Sequence, residues 1–75
     1  MITVKYFASL RERVGVSEER IEADTILTVA DVWARARASE LPANTLVAVN
    51  QNYARLDSSV ANGDEVAFFP PVTGG

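Results

Sequence analysis

Glu65-Val66-Ala67-Phe68-Phe69-Pro70-Pro71-Val72-Thr73-Gly74-Gly75 is the stretch on which the rest of the chain is read. Val66 to Phe69 is a short apolar run with two aromatics, which predicts a buried closing strand. Pro70 and Pro71 then fix φ at about −65° and steer the backbone onto an extended path. The six residues from Pro70 to Gly75, at roughly 3.1 Å each, would reach on the order of 19 Å. Gly74 and Gly75 carry no Cβ, so this end is as thin as a peptide can be. A folded body over residues 1–69 is thus expected to pass directly into an extended tail over 70–75. The Gly75 carboxylate is the group on which function is expected to turn.

Working back from that strand, Asn62-Gly63 is a turn signal. Leu46-Val47-Ala48-Val49 is a continuous apolar, β-branched run and predicts a strand covered on both faces. Asn50-Gln51-Asn52 reads as a polar turn into a short strand over Tyr53 to Leu56. At the other end, Ile2, Val4 and Tyr6 alternate with Thr3, Lys5 and Phe7, which is strand periodicity. Ala8 to Val14 suits a short helical turn stopped by Gly15. Glu19 to Ala23 alternates again, with Ile21 and Ala23 facing one way.

The main helix is expected to begin at Thr28. Thr28 as N-cap with Asp31 three residues on resembles a capping box, and Leu27 with Val32 fits a hydrophobic staple. Val29, Val32, Trp33 and Ala36 fall on one face, so Trp33 is read as core rather than as a ligand platform. Arg35 and Arg37 favour the C-terminal end of the helix dipole, and Pro42 prevents extension. The order strand, strand, helix, strand, short strand, strand predicts an α+β fold. It is a β-grasp (ubiquitin-like) arrangement, with a mixed sheet of about five strands, one main helix across one face, and the first and last strands adjacent and parallel.

Composition narrows the function. The 75 residues make one domain with net charge −3, and a chain of this size buries only about 60–65% of its unfolded surface. With no cysteine and no histidine, there is no thiolate, no usual general base and no common metal ligand. A partner enzyme is therefore expected to supply the chemistry. Asp24, Asp31 and Asp57 show no ligand-like clustering, and Asp64-Glu65 beside Asn62-Gly63 reads as turn chemistry, so no metal site is expected. Arg11, Arg13 and Arg20 are interleaved with Glu12, Glu18, Glu19 and Glu22, a pattern that disfavours nucleic acid. No leader is read at the N-terminus and no apolar run has membrane-spanning length, so a cytoplasmic location without membrane contact is expected.

The C-terminal stretch from Asn62 to Gly75 is similar to the small, sulfur-carrying subunit of molybdopterin synthase. Leu46 to Gln51 and Ile2-Thr3-Val4-Lys5-Tyr6-Phe7-Ala8, with Leu10-Arg11-Glu12 following, match that family too. The segment between Ala38 and Thr45 is short for the family, and Tyr6 stands where many members have another residue. The resemblance implies that an ATP-dependent, E1-like enzyme adenylates Gly75 and that a sulfur donor protein converts it to a thiocarboxylate. The carrier would then dock on the large synthase subunit and give sulfur to a precursor pterin. No cofactor is expected on this chain, since ATP is used by the activating partner. Gly74 and Gly75 are the reacting end, and Phe68, Phe69, Pro70, Pro71, Val72 and Thr73 are the expected partner-binding residues. Phe68 and Phe69 lie on opposite faces of one strand, so they cannot both enter the same core layer; one is expected beneath the helix, and the other either at the partner interface or covered within the domain. Arg11, Arg55 and Lys5 are lesser interface candidates. A heterotetramer with the large subunit is a further implication. A thiamin-pathway sulfur carrier, a ubiquitin-like protein modifier, a plain interaction module and a carrier with two uses are the competing readings.

Overall fold

The computed structural model describes residues 1–37 and 39–71. Five strands and two helices follow in the order β1 (Ile2–Tyr6), α1 (Ala8–Val14), β2 (Glu18–Ile21), α2 (Val29–Arg37), β3 (Leu46–Val49), β4 (Asn52–Ala54) and β5 (Glu65–Phe69). The strands form one sheet in the order β2-β1-β5-β3-β4. β1 and β5 run parallel at its centre, and the remaining pairings are antiparallel. This is the expected β-grasp arrangement, with the first and last strands side by side.

Register explains the core. Tyr6 pairs with Phe68 and Val4 with Val66, while Val47 pairs with Phe68 and Val49 with Val66. Directly paired residues share a face, so Ile2, Val4, Tyr6, Val66, Phe68 and Val47 form one apolar layer. Val29, Val32 and Trp33 of α2 and Leu10 of α1 cover it, and Ile26 and Val60 close its margins. At one end the aromatic rings interlock. Trp33 meets Phe68 edge-on at 5.0 Å, and Tyr6 lies against Phe68 at 6.2 Å. Such pairs contribute about 0.5–1.5 kcal/mol each beyond burial. Trp33 is core, and its indole Nε1 donates to the Ser39 carbonyl at 2.7 Å, tying down the chain after α2.

The start of α2 uses the capping residues read from sequence. Asp31 Oδ2 accepts from the Leu27 and Thr28 amides at 2.9 and 3.0 Å, and the Asp31 amide donates to Thr28 Oγ1 at 3.3 Å. The staple is different. Leu27 is 73% exposed, and Ile26 is the residue turned into the core. The backbone explains this, because the Leu27 carbonyl accepts from Val60, which holds Leu27 on an extended, outward path. Arg35 and Arg37 also do more than meet the dipole. Arg35 donates to Thr25 Oγ1 and the Asp24 carbonyl, and Arg37 donates to Glu19 at 2.7 Å.

The strand boundaries shift slightly. β2 ends at Ile21 and β4 at Ala54, both earlier than the apolar pattern suggests. The β3–β4 connection is a two-residue turn with Asn50 and Gln51 both at positive φ, 51° and 70°, the geometry of a type I′ hairpin. Asn50 also accepts from the Glu65 amide at 3.0 Å and donates to Asp64 at 3.1 Å, pinning the hairpin tip to the start of β5. Asn62-Gly63 forms a turn closed by the Asp64 amide on the Ala61 carbonyl, with Gly63 at φ 95°, a conformation that suits glycine. α1 is a full helix, stopped as read at Gly15, whose φ of 92° and amide bond to the Arg11 carbonyl cap it.

Candidate functional site

Both helices pack on one face of the sheet, so the side chains between the core positions lie on the other. Running across that second face, Glu18 pairs with Lys5, Lys5 with Ala67, Ala67 with Ala48 and Ala48 with Tyr53. Next to this row Leu46 pairs with Phe69. The face is therefore divided. Its β5-β3-β4 half presents Phe69, Leu46, Ala48 and Tyr53 around a buried Ala67, and its β2-β1 half presents Glu18, Arg20, Thr3 and Lys5.

The apolar half corrects the reading of β3 as a strand covered on both faces. Val47 is buried, but Leu46 and Ala48 are only half-buried, since no described helix crosses their side of the sheet. Tyr53 is 78% exposed, and its ring stands 6.0 Å from that of Phe69. Exposed aromatics beside aliphatic residues are the usual material of binding hot spots. Leu46, Ala48 and Tyr53 escaped the sequence-based set of partner-binding residues. The signal for them was an apolar β3 with no second layer to cover it.

Phe68 and Phe69 separate cleanly. Phe68 is fully buried between Tyr6 and Trp33, so its side chain offers no surface to a partner. It is withdrawn from the contacting set and instead anchors β5 from beneath. Phe69 is the outward ring. Pro70 is half-buried and Pro71 exposed, and they leave β5 at the edge where Phe7 stands 45% exposed. The Phe7 amide donates to the Phe68 carbonyl at 3.2 Å, which fixes that edge to the strand end. Val72, Thr73, Gly74 and Gly75 lie outside the described residues.

The charged half is held by ion pairs. Lys5 Nζ lies 3.2 Å from Glu65 and 3.9 Å from Glu18. Of the other lesser candidates, Arg11 is exposed and Arg55 meets Asp57 at 3.4 Å on the open surface, where such pairs contribute little. On the core side, Tyr6 Oη donates to Glu19 at 2.7 Å, and the Arg37 guanidinium sits 5.5 Å from the Tyr6 ring centre. Burial, reinforced by the bond to Glu19, pushes the Tyr6 hydroxyl well above its ordinary range, so it remains a neutral donor. Among the described residues, no group of three or more potential metal ligands gathers, and no helix is long and apolar enough to cross a membrane.

Comparison with known proteins agrees with this geometry. The sulfur carrier subunit of molybdopterin synthase from Haemophilus influenzae is 43% identical over 100% of both chains. Its namesake from Escherichia coli is 40% identical, again over 100% of both. Among solved structures, small archaeal modifier protein 1 of Haloferax volcanii superimposes with a TM-score of 0.76 at 32% identity, covering 95% of this chain and 97% of that one. The model of the ThiS family matches residues 4–75. With a ubiquitin-like fold, a family model matched over residues 4–75 and full-length relatives named as sulfur carriers, this chain belongs to the ThiS family.

Proposed function

We propose that this protein is the sulfur carrier subunit of a molybdopterin synthase, with Gly75 as its reacting residue. The observation that carries the reading is the full-length relationship to sulfur carrier subunits, joined to a last strand that ends in Pro70-Pro71 beside a partly exposed apolar half-face. A carboxylate is a poor acyl donor, because oxide is a poor leaving group. An ATP-dependent, E1-like enzyme would let the Gly75 carboxylate oxygen attack the α-phosphorus, releasing pyrophosphate. Hydrosulfide supplied by a donor protein would then attack the acyl carbon of this adenylate, forming the carbon–sulfur bond as the carbon–oxygen bond to AMP breaks, which splits one hard step into two. The resulting thiocarboxylate is the cargo.

Phe69, Tyr53, Leu46 and Ala48 would seat the carrier on the large synthase subunit. From there Pro70 and Pro71 direct Val72, Thr73, Gly74 and Gly75 toward that subunit's site, where sulfur builds the dithiolene of the pterin. With no Cβ on either glycine, a partner's channel can close on the backbone. The carrier has no cysteine or histidine, so the partners supply the acids and bases. The test is intact mass after incubation with the cognate activating enzyme, ATP and a sulfur source. A gain equal to one oxygen-to-sulfur exchange is expected, lost on deletion of Gly75. An unchanged mass with a verified active enzyme overturns the reading.

A second reading has an observation of its own, the likeness to an archaeal modifier protein. The same acyl-adenylate, met by a lysine amine, yields an isopeptide bond instead of a thiocarboxylate. Incubation with lysate and ATP separates the two, since adducts on other proteins favour the modifier. The names of the two full-length relatives favour the molybdopterin pathway over the thiamin pathway.

A further inference from the structure

The chain contains a single lysine among seven basic residues, and the other six are arginines. An arginine guanidinium stays charged in proteins and does not attack acyl carbons near neutral pH, whereas a lysine amine does. For a protein whose own C-terminus is activated as an acyl-adenylate, every lysine on a neighbouring copy is a competing acceptor. Lys5 is the one side chain of that kind here. It stands on the open sheet face, in the row that continues through Ala67 to the apolar half.

Lys5 is also restrained. Its Nζ lies 3.2 Å from Glu65 and 3.9 Å from Glu18, and its side chain is only 34% exposed. β1 is flanked by β2 on one side and β5 on the other, so the two carboxylates come from both neighbouring strands and bracket the ammonium. Acylation would remove the positive charge and leave Glu18 and Glu65 without it on a face that holds them close. We infer that Lys5 is the chain's one side-chain acceptor for acyl transfer from an activated copy of itself, and that Glu18 and Glu65 hold it out of that reaction. In the restrained reaction the Lys5 nitrogen would form a bond to the Gly75 carbonyl carbon. The carbon–oxygen bond to AMP would break, AMP would leave, and the amine proton would pass to solvent.

This inference rests on the proposed activation of Gly75, so its test has one arm that does not. The full chain is treated with a small acetyl donor, and acetylation of Lys5 is followed by peptide mass spectrometry against a reference peptide in the same tube. In the folded Glu18→Gln/Glu65→Gln variant the Lys5 rate should rise on the order of threefold to tenfold, as the loss of two partly exposed ion pairs allows. Glu65→Gln alone should give a smaller rise, and it serves as the readout if the double variant fails to fold. In the second arm, the activating enzyme and ATP are supplied without sulfur donor and adenylate formation is read as pyrophosphate release. The double variant should then yield Lys5-linked dimers that wild type does not, and Lys5→Arg should abolish them. Equal Lys5 acetylation with and without the two carboxylates overturns the restraint. Verified adenylate with no Lys5-linked dimer in the double variant overturns Lys5 as acceptor. Absence of pyrophosphate release counts against the activation of Gly75. In that case the acceptor role is decided with a chain prepared as a C-terminal thioester, where failure to join Lys5 of the double variant overturns it.

Discussion

Phe68 and Phe69 carry the same side chain one step apart on β5, yet one is sealed beneath α2 and the other looks out from the open face of the sheet. Phe68 is in contact with Tyr6 and Trp33, and Phe69 with Tyr53. The difference follows from the two-residue period of a strand and from the placement of both helices on one side. It gives β5 one ring that holds its end in place and one that stays half-buried on the open face. Because Pro70 follows directly, the core ring fixes the strand end from which Pro70 and Pro71 continue.

The largest effect should come from breaking the inner side. Phe68→Ala removes a fully buried ring from the aromatic cluster and is expected to cost about 3–5 kcal/mol. In a domain of this size that lowers Tm by well over ten degrees, since each kcal/mol is worth roughly 4–8 °C. Calorimetry checks it, and an unchanged Tm would show that the cluster does not hold β5. Phe69→Ala should behave oppositely. Stability should move by less than about 1 kcal/mol, while affinity for the large subunit falls by about 1–3 kcal/mol, or roughly fivefold to a hundredfold in Kd. Titration calorimetry reads the second quantity and thermal melts the first. A variant that melts early and binds normally would reverse the assignment of the two rings.

A smaller effect is expected beside Phe68. Tyr6→Phe keeps the ring contacts but removes the hydroxyl that donates to Glu19, with an expected loss of about 1 kcal/mol in denaturant unfolding. Arg37 still meets Glu19 at 2.7 Å, which limits the damage. The smallest effect concerns the start of the helix that makes the inner side. Bonds from the Leu27 and Thr28 amides hold the Asp31 carboxyl below its usual range. A folded-state value lowered in this way contributes stability that is present above the unfolded pKa and is lost as pH falls through the folded one. Asp31→Asn should therefore lower Tm at neutral pH and flatten its decline below about pH 4. Part of the decline should remain, because Asp64 is shifted in the same direction by Asn50 and the Ala61 amide. An unaltered acid limb in Asp31→Asn would show that this cap is not linked to folding.

Much of the fold was legible because its signals are local. The alternation in Ile2–Tyr6, the Thr28–Asp31 cap, the apolar stripe through Val29, Val32 and Trp33, and Gly15 as a stop all act within a few residues. Asn62-Gly63 marked a turn, and its positive φ at Gly63 is the reason. Ala8, at φ 52°, had no such marker, because alanine is indifferent to most contexts and is forced there by the bend from β1 into α1. The candidate site was legible in half. Pro70 and Pro71 could be placed after the last strand from the sequence, while Val72 to Gly75 lie outside the described residues. Tyr53, Leu46 and Ala48 could not be joined to Phe69, because only strand pairing brings them together.

By itself, then, the sequence determined what chemistry is available. The sequence holds Gly74-Gly75 after two prolines, no histidine or cysteine, one lysine, and enough amphipathic pattern for one helix and five strands. The tertiary structure decided how those pieces face. It buried Phe68 and exposed Phe69, turned Leu27 out and Ile26 in, and bracketed Lys5 between Glu18 and Glu65 from two different strands. The reason is physical. Backbone propensity and periodicity act over a turn or a strand, whereas which face of a sheet stays open depends on where the helices come to rest.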